Sequence, residues 1–157
     1  MNKCIALVCA ALAALEVAAP SAALAQSATL QRRLTAAKRI TCSFSTLATG
    51  NWDGGKPTAA VTPVMLAAAF FDINIDEGTA EAEGDIGASF ISVRFSEGYL
   101  HFMQASDSGP LYVTTVFPRQ MPDGKLLAVH TRHEYTPTSI PGFTSRPEMY
   151  VGSCTLG

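Results

Sequence analysis

The sequence predicts a mainly β protein: an antiparallel, up-and-down, β-barrel-like meander of about eight strands behind a short N-terminal amphipathic helix. Three observations carry that expectation. From residue 76 onward, turn signals recur at 76–78, 83–87, 96–98, 106–110 and 122–125, where glycine supplies positive φ and aspartate or serine caps the turn. The segments between them, 79–84, 87–95, 99–105, 111–117 and 126–135, are each strand length, and strands joined by such short links pair as antiparallel neighbours. Ala80, Ala82 and Gly84 share one strand face, while Ser89, Ile91, Val93 and Phe95 share a face of the next. Small residues beside large ones suit a curved wall that closes on a filled or ligand-sized interior.

The chain begins with basic Lys3, an apolar run from Ile5 to Leu15, and Ala23, Leu24 and Ala25 ahead of Gln26. That pattern is a secretory signal peptide, with cleavage expected after Ala25. The run is too short to span a bilayer as a mature helix, and bulky Val8 ahead of Cys9 argues against lipid attachment. Removing 25 of the 157 residues leaves 132, so the expected product is one secreted or periplasmic domain spanning 26–157. Cys4 and Cys9 depart with the leader. Cys42 and Cys154 remain as an even pair in an oxidising compartment, 112 residues apart. A disulfide closing that loop is worth about 4 to 5 kcal/mol in the chain-entropy account. No CxxC spacing points to a redox role.

Residues 28–39 place Leu30, Leu34 and Ala37 on one side of a helical wheel, with Ser27 available as N-cap and Arg32, Arg33, Lys38 and Arg39 on the wet side. Thr41 to Leu47 then alternate as a strand does. Residues 48–60, with three glycines and a proline, are expected to be a loose loop. The apolar run 61–71 is compatible with strand or buried helix, its alanines favouring helix. Its continuation alternates Phe71, Ile73 and Ile75 with polar residues, the period of a half-wet strand. Residues 136–147 form a second loose segment, and 148–157 supply the last strand.

Charge excludes one class of partner. Residues 41–157 hold six bases against twelve acids, a net of −6, and nucleic-acid binding depends on neutralising phosphates with cations. No cofactor motif is present, and no feature of the chain specifies an oligomeric state.

The most chemical stretch is 126–135, LLAVHTRHEY. On a strand, His130 and His133 point to opposite faces, so they are not a joint metal site. The face carrying Leu127, Val129, Thr131, His133 and Tyr135 is expected to line the interior, with His130, Arg132 and Glu134 in solvent. The simpler account of His133 is a core histidine held by a hydrogen bond. The functional account makes His133 and Tyr135, with Tyr112, Thr114 and Trp52, the convergent groups of a ligand cavity. No GxSxG nucleophile elbow accompanies them.

Gly50, Asn51 and Trp52 match the GxW motif near the start of lipocalins, a resemblance confined to three residues. It implies a tryptophan that plugs one barrel end, with Arg132 or Arg146 packed on it; the alternative is a tryptophan anchoring a loop over the core. In 136–147, Pro137, Pro141 and Pro147 stiffen a segment whose Ile140, Phe143 and Arg146 are protein-contact residue types. A rigid connector across the barrel end is the other account of that segment.

Three functions follow as expectations. The first is a non-enzymatic binding protein holding a small, mostly apolar ligand in the barrel. The second is a protein-protein module, such as an envelope hydrolase inhibitor, presenting 136–147. The third is an enzyme centred on His133.

Overall fold

The computed structural model describes residues 19–84, 89–105, 109–138, 140 and 145–157, without the side chains of 19–25 and 89. Most of the expected signal peptide lies outside the described residues. One helix, α1 (Ala19–Ala36), precedes eight strands: β1 (Arg39–Asp53), β2 (Lys56–Asn74), β3 (Thr79–Gly84), β4 (Ser89–Ser96), β5 (Tyr99–Ala105), β6 (Leu111–Gln120), β7 (Leu126–His133) and β8 (Glu148–Leu156). Each strand pairs antiparallel with the next, and β8 pairs back onto β1, so the single sheet closes in a barrel-like ring.

The helix buries Leu30, Leu34 and Ala37 against β5 and β6 at one end of the ring. It starts earlier than expected, so Ser27 lies inside it and is no N-cap. The preceding residues, APSAALAQ, are rich in alanine, the strongest helix former, and extend it toward the N-terminus.

Residues 48–60 are paired strand, in contrast to the expected loop. Their ladder runs without interruption to Asp53↔Lys56, and Gly54 and Gly55 make a two-residue turn with φ of 55° and 81°. Positive φ at both turn positions matches the right-handed twist of the flanking strands, so the Gly-Gly pair closes a tight hairpin. The run 61–71 is also strand, with no helix. Ala68 and Phe70 face the core, Val64 and Leu66 lean on it, and Met65 stands outward. Period two was hidden there because both faces are apolar.

A bulge interrupts β1 between Phe44 and Thr46, and the registers with β2 and β8 shift together there. Gly152 lies opposite Phe44. A side chain on it would meet the Ser43 carbonyl oxygen and lie 2.6 Å from Phe44 Cα, so the bulge requires glycine at this position.

The interior fills in layers. Next to the helix, the Cys42–Cys154 disulfide sits beside Leu126. Above it come Phe44, Ala128, Val116 and Leu100, all buried. Phe70 stacks on Phe102 with centroids 4.0 Å apart, and Ala80 pairs with Ile91 as small beside large. No helix among the described residues is long and apolar enough to cross a membrane.

Candidate functional site

The layers become polar toward the end of the ring opposite the helix. Tyr150, His130, Thr114 and Phe102 are register partners across β8, β7, β6 and β5, and Glu148, Arg132, Tyr112 and Gln104 make the next layer out. The strands thus build an apolar floor and a polar mouth.

This register corrects the face assignment within LLAVHTRHEY. His130 is buried at 3% exposure, whereas His133 and Tyr135 face outward, Tyr135 at 46%. Leu126 pairs with Cys154 beside the disulfide, and Ala128 fits the narrow layer against Phe44, which fixes the parity of β7. Leu127 and Val129 imitated an interior face because the outer wall is apolar here. The two histidines do lie on opposite faces.

Every polar group of the mouth that carries charge has a partner. The Thr114 hydroxyl and His130 Nδ1 lie 2.9 Å apart, and the imidazole stacks parallel to Tyr112 at 6.5 Å. Burial disfavours the charged ring, and the Arg132 cation adds to this, so the His130 pKa falls from 6.5 to about 4. Arg132 donates through Nε to Glu134 Oε2 at 2.9 Å, lies 3.8 Å from Glu148, and rests over the Tyr112 ring at 5.6 Å. Glu134 also accepts from Ser145 Oγ at 2.7 Å and Tyr112 Oη at 3.2 Å, contacts that hold its carboxyl below the usual range. Tyr150 donates to Glu148 at 2.6 Å; burial and that bond raise its pKa to about 12.

Among the described residues, the void behind this mouth is small. The void bordered by Phe70, Phe102, Gln104, Thr114 and His130 measures about 10 Å3. That is near the minimum for one water molecule and far below the several hundred Å3 of a ligand pocket.

The mouth continues into an aromatic rim. Trp52, 49% exposed near the hairpin turn, meets Tyr135 edge to face at 5.2 Å, and the Arg146 guanidinium lies 5.2 Å above the same Tyr135 ring. The base of 134–147 is tied there. Thr136 N–H donates to Ser145 O at 3.0 Å, Ser145 N–H donates to Thr136 Oγ1 at 2.6 Å, and Arg146 donates to both backbone carbonyls. Gly50 N–H donates to Pro147 O at 2.8 Å, joining the hairpin to this segment.

Trp52 does not plug the ring in the lipocalin manner. It is half exposed, and the two arginines expected to pack on it stack on Tyr112 and Tyr135 instead.

The sequence-derived residues therefore divide. Tyr112 and Thr114 belong to the mouth; Trp52, Tyr135 and Arg146 meet at the rim, with Ile140 half exposed in the same segment. Phe143 lies outside the described residues. His133 is exposed, 3.2 Å from the Thr131 hydroxyl, and shares no cavity with Tyr135. Sequence reading missed His130, Arg132, Glu134, Glu148, Gln104 and Tyr150 as one inward set. The expected disulfide carried the missing signal, because an inward Cys154 places Gly152, Tyr150 and Glu148 on the same face.

Among the described residues, no three metal-ligating side chains converge. Comparison of the chain with protein-family models, with curated proteins and with solved structures returns no match.

Proposed function

We propose that the protein is a protein-binding module of the cell envelope or the secreted fraction, which engages its partner through the rim formed by Trp52, Tyr135, Ile140 and Arg146. One observation carries this reading: the void between Phe70, Phe102, Thr114 and His130 is about 10 Å3, while a Trp–Tyr pair stands half exposed at the mouth on a hydrogen-bonded base. Tryptophan, tyrosine and arginine dominate binding hot spots, and a pre-ordered rim reduces the entropy lost on association. An apolar ligand inside the ring, which the sequence put first, is disfavoured by the size of the void beside Phe70 and Phe102. A partner that offers a cleft, as an envelope hydrolase does, suits a projecting hairpin beside a tied loop. The Cys42–Cys154 disulfide fits an oxidising extracytoplasmic location, and the leader-like residues 1–25 supply the export route.

The test uses wild-type protein and a Trp52→Ala/Tyr135→Ala variant as bait against the extracytoplasmic fraction of the native host. Wild type should retain a partner that the variant loses, with the variant's melting curve unchanged. Identical capture profiles would refute the reading.

A further inference from the structure

The core of the ring holds a polar atom that its neighbours leave without a partner. His130 is 3% exposed on β7, and its imidazole packs among the rings of Phe44, Tyr112 and Tyr150. Its Nδ1 meets the Thr114 hydroxyl at 2.9 Å, whereas Nε2 makes no hydrogen bond with any of the described residues. The two phenols that pack on the imidazole direct their hydroxyls elsewhere, Tyr112 to Glu134 and Tyr150 to Glu148. Burial keeps the ring neutral at neutral pH, so one nitrogen carries a proton and the other a lone pair. If Thr114 donates to Nδ1, Nε2 is an N–H that needs an acceptor. If Nδ1 donates to Thr114, Nε2 is a lone pair that needs a donor. Buried polar atoms of either kind are normally satisfied, by protein or by ordered water.

The same imidazole borders the void of about 10 Å3 behind the mouth. Phe70, Ile91 and Phe102 make the apolar side of that void, and Gln104, Tyr112 and Thr114 its polar side. Gln104 enters from β5, one layer further out than Thr114 and His130, and its side-chain amide makes no hydrogen bond with the described residues either. An amide offers both donors and an acceptor, and the Thr114 oxygen keeps a further lone pair beyond its contact with Nδ1. Volume and polarity together set the occupant. A buried water needs about 10 to 15 Å3 and two to four polar partners, and these walls supply Nε2, the Gln104 amide and the Thr114 oxygen. An organic ligand needs several hundred Å3, and no three metal-ligating side chains converge among the described residues. Water also suits both tautomers of His130, because it donates and accepts.

We propose that this void is the binding site of a single structural water, hydrogen-bonded to His130 Nε2 and shared with the Gln104 amide and the Thr114 hydroxyl. The water joins β5 to β7, which are not neighbours in the ring, and holds His130 in one tautomer. The site is separate from the rim and independent of any partner bound there.

A high-resolution crystal structure of the purified protein tests the position, and oxygen-17 relaxation dispersion tests the residence of the water in solution. A density peak should stand about 3 Å from Nε2 and within the same reach of Thr114 Oγ1 or the Gln104 amide. The dispersion, which proton exchange at the Thr114 and Tyr112 hydroxyls does not mimic, should show a long-resident water in wild type. Gln104→Leu, at a half-buried position, should lose the amplitude of one such water while its near-UV circular dichroism stays unchanged. The Trp52→Ala/Tyr135→Ala variant should keep that amplitude, so that this proposal and the rim reading fail separately. A crystal in which Nε2 bonds directly to a protein atom, or in which the void shows no density, would overturn the proposal. So would equal dispersion amplitudes in wild type and Gln104→Leu.

Discussion

Acid should weaken this fold through His130 before it affects the carboxylates. The imidazole is 3% exposed, hydrogen-bonded to Thr114 and beside the Arg132 cation, and its pKa is about 4 against an ordinary 6.5. Below pH 6.5 the unfolded chain takes up a proton that the folded chain refuses, so stability rises with pH across this window and falls as pH drops through it. The gap between 6.5 and about 4, at about 1.4 kcal/mol for each pH unit, amounts to roughly 3 kcal/mol. Below pH 4 both states are protonated and the loss from this residue stops. Glu134, with its carboxyl held down by Ser145 and Arg132, adds a second loss of the same sign at lower pH. Urea unfolding of wild type and His130→Gln at steps between pH 7.5 and 4.5 separates the two. The wild-type stability should fall by about 2 to 3 kcal/mol more than that of the variant over this range. A difference that stays constant with pH would show that the folded protein protonates His130 as readily as the unfolded chain, and the buried-neutral account would be wrong.

Gly152→Ala should be among the most damaging single-methyl additions in the chain, costing about 3 kcal/mol or preventing folding, because the new Cβ meets backbone at Ser43 and Phe44. A melting temperature within about 2 °C of wild type would contradict that geometry. Opening the disulfide by the Cys42→Ser/Cys154→Ser double change should cost about 4 to 5 kcal/mol, since the closed loop spans 112 residues. Denaturation midpoints that coincide with and without the bridge would dismiss the estimate. Glu134→Gln removes the charge that gathers Arg132, Tyr112 and Ser145, and should speed hydrogen exchange at the Thr136 and Ser145 amides about tenfold or more. Exchange unchanged at those amides would show that the loop base holds without it.

The ring was legible in the chain where one face is wet. Turn residues from 76 onward delimited β3 to β7, and Ala80, Ala82, Ile91 and Val93 fell on the inner face as their alternation indicated. Legibility failed where the outer wall is apolar as well. On β2, Met65 and Ala67 masked the alternation of Leu66, Ala68 and Phe70, and the run looked helical. On β7, Leu127 and Val129 outweighed Leu126 and Ala128, so His130 and His133 exchanged faces and the mouth was built from the wrong residues. A strand's own periodicity does not say which of two apolar faces is inside; the cross-strand pairing of Leu126 with Cys154 does. The glycines of 48–60 signalled a break because the chain does reverse there. The reversal takes two residues, and the remainder is the longest antiparallel ladder in the ring.

The claim that the protein works through its rim is tested most directly by the affinity of a purified partner, taken from the wild-type capture, for Trp52→Ala beside wild type and His133→Ala. Loss of the half-exposed indole should weaken binding at least about 30-fold, the scale of a central aromatic hot spot, while His133→Ala should bind as wild type does. Equal affinity of wild type and Trp52→Ala would contradict the account.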